Sequence, residues 1–175
     1  MKRQFKLLAL ALPLLLTFSL LSSAPAIASN HVNPYGASTM DPPPPNSIIL
    51  VLSNGPKSVS LTFKQLQALK SSSITINEPF VRKRQSFRVI PLSVLFNMVG
   101  ITGTDKVATT ALNAYVYTNT AANFTSALGY LAIGRDGFDI PYDQGGPIRI
   151  IFPGKSKWSK FLDPWNWSLI SITVK

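Results

Sequence analysis

The residues best equipped to hold a ligand lie in one stretch, Gly145-Gly146-Pro147-Ile148-Arg149 and, just beyond a strand-like run, Lys155-Ser156-Lys157. Paired glycines let backbone amides approach a ligand closely. Arg149 offers a planar fork of donors, and Lys155 and Lys157 offer mobile charges, a combination suited to phosphate. The same residues also read more plainly, as a tight turn at Gly145-Gly146-Pro147 with Arg149 paired to a local acid. Trp158, Phe161, Trp165 and Trp167 stand close to the lysines. Aromatics beside cations form walls for sugars or cofactors, and they also cap cores.

Other chemistries lack their residues. The single histidine, His31, precedes the expected domain, so that domain has no Ser-His-Asp device and no His-based zinc site. Cysteine is absent, which removes thiol nucleophiles, thiolate metal ligands and redox pairs. Glu78 is the sole glutamate and leaves few candidates for paired-carboxylate hydrolysis. Asp136, Asp139 and Asp143 have hard-cation chemistry, but their spacing matches no known calcium loop, and Asp136 suits a turn. There is no Walker loop and no dinucleotide glycine motif. No catalytic residue and no metal ligand is assigned on these grounds.

The elements that must position these residues follow an N-terminal leader. Lys2, Arg3 and Lys6 precede an apolar run from Leu7 to Leu21, and Ala26-Ile27-Ala28 suits cleavage before Ser29. Residues 1–28 therefore read as a secretory signal, the run being short for a membrane span. An uncleaved anchor is the other reading of the same segment. Residues 29–46 are polar and end in Asp41-Pro42-Pro43-Pro44-Pro45, the composition of an extended tether. Residues 47–175 are the size of one ordinary domain. Loss of the leader takes Lys+Arg from 17 to 14 against seven acids, a net charge of +7. For an exported chain, secreted or periplasmic, that charge suits anionic ligands, anionic lipid or cell-wall polymers, or plain solubility, and the partners expected are an anionic small molecule or an envelope protein rather than nucleic acid. Membrane attachment is expected only if the leader is retained.

Within the domain, Ile48 to Leu52 reads as a buried strand, Asn54-Gly55 as a hairpin turn and Ser58 to Leu61 as its return. Thr62-Phe63-Lys64-Gln65 fits a helix capping box. Ile74 to Ile76 is a strand, Glu78 to Gln85 a loop carrying Arg82-Lys83-Arg84, and Phe87 to Ile90 a short strand. Pro91 opens a helix whose apolar face is Leu92, Leu95, Phe96 and Val99, closed by Gly100. Strands at 106–109, 115–118, 130–133, 147–152 and 168–174 follow, with a short helix between 119 and 128. Strands and short helices mix without a βαβ rhythm, so the class is α+β, largely β.

The string Tyr115 … Leu131-Ala132 … Arg135-Asp136-Gly137 … Gly145-Gly146-Pro147-Ile148-Arg149-Ile150-Ile151-Phe152-Pro153, closing with Trp167-Ser168-Leu169-Ile170-Ser171-Ile172-Thr173-Val174, resembles the molybdopterin-binding domain of sulfite-oxidase-like oxidoreductases. The likeness runs over nearly all of residues 47–175. It implies that family's α+β fold and a molybdenum–pterin cofactor, with the metal held by the pterin sulfurs and one protein cysteine. It further implies Gly145, Gly146, Arg149, Lys155, Ser156 and Lys157 as the residues lying near the cofactor. The cysteine is expected in the loop after Ile76, which here reads Asn77-Glu78-Pro79-Phe80-Val81-Arg82. A short, cysteine-less member is thus expected to be a non-catalytic binding module. The alternative is an oxidoreductase domain or subunit that binds the pterin cofactor without that ligand.

Overall fold

Nine strands stand among residues 35–175, the residues described in the structure, a computed structural model. The expected signal, the start of the tether and His31 lie outside the described residues. One sheet holds β1 (Ile48–Asn54), β2 (Lys57–Thr62), β5 (Lys106–Ala111), β6 (Val116–Thr120) and β9 (Leu169–Val174), in the order β2-β1-β9-β5-β6. Its β1–β9 pair is parallel, and its other pairs are antiparallel. The second sheet holds β3 (Ser72–Glu78), β4 (Lys83–Pro91), β7 (Tyr130–Arg135) and β8 (Arg149–Ile151), in that order and antiparallel throughout. Three short helices complete the set: α1 (Phe63–Ala68), α2 (Leu92–Val99) and α3 (Ala121–Ser126). The class is α+β, mostly sheet, as the sequence suggested.

Local signals explain several boundaries. Thr62 accepts from the Gln65 amide while the Gln65 side chain accepts from the Thr62 amide, a reciprocal capping box that starts α1. Gly100 ends α2 in the left-handed region, where a Cβ would be strained. The apolar face of α2, Leu92, Leu95, Phe96 and Val99, is buried. It joins Leu50, Leu52, Phe87, Ile90, Leu131 and Ile150 in one core. Each such side chain contributes roughly 1.5–3 kcal/mol by leaving water.

The loop expected from Glu78 to Gln85 is shorter than the sequence suggests. β3 runs through Glu78 and β4 begins at Lys83, with Glu78 opposite Lys83 and Asn77 opposite Arg84 in register. Backbone pairing extends the hairpin through positions whose charged side chains show no apolar alternation. Only residues 79–82 form the turn. Residues 35–46, placed by composition at the end of the tether, are hydrogen-bonded to the domain. The Gln144 side-chain amide donates to Gly36 O, Ser38 and Thr39 donate to Asp143, and Lys64 N donates to Pro45 O.

Candidate functional site

One end of the second sheet gathers four polar side chains on neighbouring strands: Glu78 at the end of β3, Gln85 in β4, Arg135 at the end of β7 and Arg149 at the start of β8. All four are buried. In β3, Ile74, Ile76 and Glu78 share one face by the two-residue period, so the carboxylate points where the apolar row points. Burying a charge requires a partner. Glu78 Oε1 accepts from Arg149 Nη2 at 2.7 Å, and both side chains have 0% exposure. Glu78 Oε2 accepts from the amides of Phe80 and Val81 at 2.9 and 2.8 Å, so the same carboxylate also ties down the turn that follows it.

Arg149 is enclosed by rings. Its guanidinium carbon lies 4.0 Å from the Trp167 ring centroid and 5.7 Å from that of Phe80. Phe80 and Trp167 pack edge to face at 4.7 Å. Burial pushes the Arg149 pKa down, opposed by Tyr35 and Glu78. Tyr35 lies over the same cluster, with its hydroxyl donating to Gln85 Oε1 at 3.3 Å and accepting from Arg149 Nη1 at 3.4 Å. Burial raises the Tyr35 phenol, while Arg149 lowers it. The Arg135 guanidinium sits 4.1 Å over the Tyr35 ring and donates to Gln144 Oε1. Gln85 Nε2, Arg135 Nη1, Arg149 Nε and Trp167 Nε1 are buried with no hydrogen-bond partner. All four are donors, and each belongs to a residue in contact with Tyr35.

The residues singled out from sequence separate into two groups. Gly145 and Gly146 lie beside Arg149, but the space against them is filled. A Cβ on Gly145 would stand 2.6 Å from the Trp167 ring, and one on Gly146 would stand 1.8 Å from Ile140 O. Gly145 is also left-handed at φ 85°. The partner of Arg149 is Glu78, 71 residues away, rather than a local acid. Ser156 is buried; its hydroxyl donates to Ala127 O and accepts from Trp158 N, so it pins a turn. Lys155 and Lys157 are exposed, and Lys157 donates to Asn123 Oδ1. The lysines therefore share a surface loop, while Arg149 is buried and committed to Glu78.

Each acid of the Asp136, Asp139 and Asp143 set has its own protein partner: the Ser86 amide, the Gln67 side chain, and Ser38 with Thr39. No group of three His, Cys, Asp or Glu is placed to hold a metal among the described residues. The residues present do not fit a molybdenum held through a protein side chain in the turn after β3. The one carboxylate there already serves an arginine and two amides.

Sequence reasoning passed over Glu78, Gln85, Arg135, Gln144 and Tyr35 as site residues. The placement of a lone glutamate two residues beyond Ile76, in phase with Ile74, was the available signal for the first. Tyr35 had no such signal, because a Pro-rich neighbourhood carries no period.

Among solved structures, the chain is similar to the sulfane dehydrogenase SoxCD from Paracoccus pantotrophus, with a TM-score of 0.59 and 14% identity. The match covers 79% of this chain and 41% of that one, so the chain spans less than half the length of its neighbour. At this identity the likeness is one of fold. No family model matches the chain, and no curated protein does.

Proposed function

We propose that this chain is an exported, non-catalytic relative of the molybdopterin-binding oxidoreductase domain, serving to bind an anionic ligand or an envelope protein. The observation that carries the reading is the buried Glu78–Arg149 pair. It occupies the turn where the sequence resemblance implies a metal-holding cysteine, and Trp167, Phe80 and Tyr35 close over it. A soft metal favours a thiolate, and a carboxylate already holding an arginine is a poor substitute. The fold likeness to a dehydrogenase of sulfane agrees with the frame of such a domain. The separate charges of Lys155 and Lys157 agree with a surface that attracts anions.

A second reading, pterin bound without the thiolate, is favoured by the four buried N–H groups around Tyr35 that have no acceptor. Each costs about 1–3 kcal/mol while unpaired, which an anionic group could offset. The test is to express the chain in cells that make the molybdenum cofactor, purify it, and assay released pterin by fluorescence together with bound molybdenum. Neither pterin nor metal supports a ligand or partner outside the cofactor class. Pterin without metal moves the assignment to the second reading, still a binding role. Both together, in proportion to protein, overturn the proposal.

A further inference from the structure

Phe80, Phe161 and Leu162 are 42%, 44% and 41% exposed, although each sits on a buried aromatic network. Phe80 packs on Trp165 at 6.2 Å, the Trp165 amide donates to Leu162 O, and Phe161 meets the Tyr117 ring at 6.3 Å. These contacts bring the β3–β4 turn and the 153–165 loop side by side. Tyr115 joins the same surface, its hydroxyl donating to Asp163 O, and it too is exposed. Exposed cations occur in both segments, Arg82 in the turn with Lys83 and Arg84 opening β4, and Lys155, Lys157 and Lys160 on the loop. Asp163 is the one acid within either segment.

We infer that this surface docks on a bilayer containing anionic phospholipid. Three features favour a lipid surface. The apolar groups are partly exposed side chains, each able to offer apolar surface to a headgroup layer. Their cations are exposed Lys and Arg side chains, whose charges can reach phosphates while their stems lie on apolar material, Lys157 by exchanging its bond to Asn123. The charge of the two segments, six cations against one acid, complements an anionic leaflet. Among the described residues no helix is long and apolar enough to cross a membrane, so the contact would be peripheral. Phe80 is shared with the Glu78–Arg149 site, whereas Phe161, Leu162 and the loop lysines are not among that site's contacts.

The test is cosedimentation of the full chain with vesicles of phosphatidylcholine alone, or with about three parts in ten of phosphatidylglycerol. The expected result is at least about tenfold stronger binding to the anionic vesicles at about 50 mM salt, with the preference lost near 500 mM. Two variants isolate the surface: Lys155→Ser with Lys160→Ser, and Leu162→Ser. Both change only exposed side chains, and both share residues 1–34 with the parent, so any contribution of that segment cancels. The first is expected to lose the anionic preference at least about fivefold, and the second to weaken binding to anionic vesicles at either salt. Equal binding to the two vesicle types, or variants that bind as the parent does, overturns the inference. So does capture by an acidic polypeptide such as polyaspartate without any vesicle preference.

Discussion

Arg149 is paired beneath the surface with one carboxylate, so the effect of removing that carboxylate is predictable. Glu78→Gln retains the side-chain shape but removes the negative charge, leaving the guanidinium at best a neutral amide oxygen beside three ring faces and a phenol hydroxyl. Breaking a buried pair from one side costs about 3–5 kcal/mol. Urea denaturation of Glu78→Gln is expected to show a loss of that size. Glu78→Gln combined with Arg149→Met is expected to lose clearly less than the two single losses added together. A Glu78→Gln variant within about 1 kcal/mol of the parent would mean that the pair is not what closes the site. The inward phase of Glu78 was legible in Ile74, Ile76 and Glu78, but its partner was not. Nothing in a sequence places residue 149 against residue 78, because that contact is made through three successive strand pairings, β3–β4, β4–β7 and β7–β8.

Short-range signals fixed the elements better than they fixed their reach. The Thr62 capping box, the Asn54-Gly55 hairpin and the Gly100 cap all rest on chemistry contained within a few residues, and all three stand in the structure. The charged end of the β3–β4 hairpin was missed because pairing there is a property of the neighbour. The docked segment 35–40 was missed for the same reason. Its hold on the domain includes Asp143, whose pKa is lowered first by the Thr39 amide and then by the Ser38 hydroxyl. A carboxyl depressed in the folded state contributes stability above its unfolded pKa and loses it as pH falls through its folded one. The Thr39 and Ser38 contacts are therefore expected to weaken as pH falls below the ordinary aspartate range. Amide shifts of Thr39 followed by NMR on acidification would show this transition, and Asp143→Asn is expected to abolish it. An acid-independent Thr39 shift in the parent would contradict the placement. Gly146 gives a sharper test of the turn before β8. Its missing Cβ would coincide with the Ile140 carbonyl, so Gly146→Ala is expected to cost several kcal/mol or prevent folding, as read by thermal denaturation. By comparison, Gly154→Ala, with open space around it, is expected to be nearly neutral.

At the scale of the molecule, two sheets and three short helices reproduce a frame shared with sulfane dehydrogenase SoxCD over 79% of this chain. The class was readable because strand alternation and helix caps are local. The interior of the candidate site was not readable, because its members come from four strands and the segment before the first of them. In this chain a polar centre is closed by an internal ion pair and aromatic rings. The most direct measurement is the molar ratio of molybdenum to protein after expression in cells replete with the cofactor, determined by elemental mass spectrometry on the purified chain. A ratio below about 0.05 is expected, since no thiolate is present to hold the metal and the nearest carboxylate is already engaged. A ratio approaching one that survives gel filtration would contradict the closed site and overturn the proposed non-catalytic role.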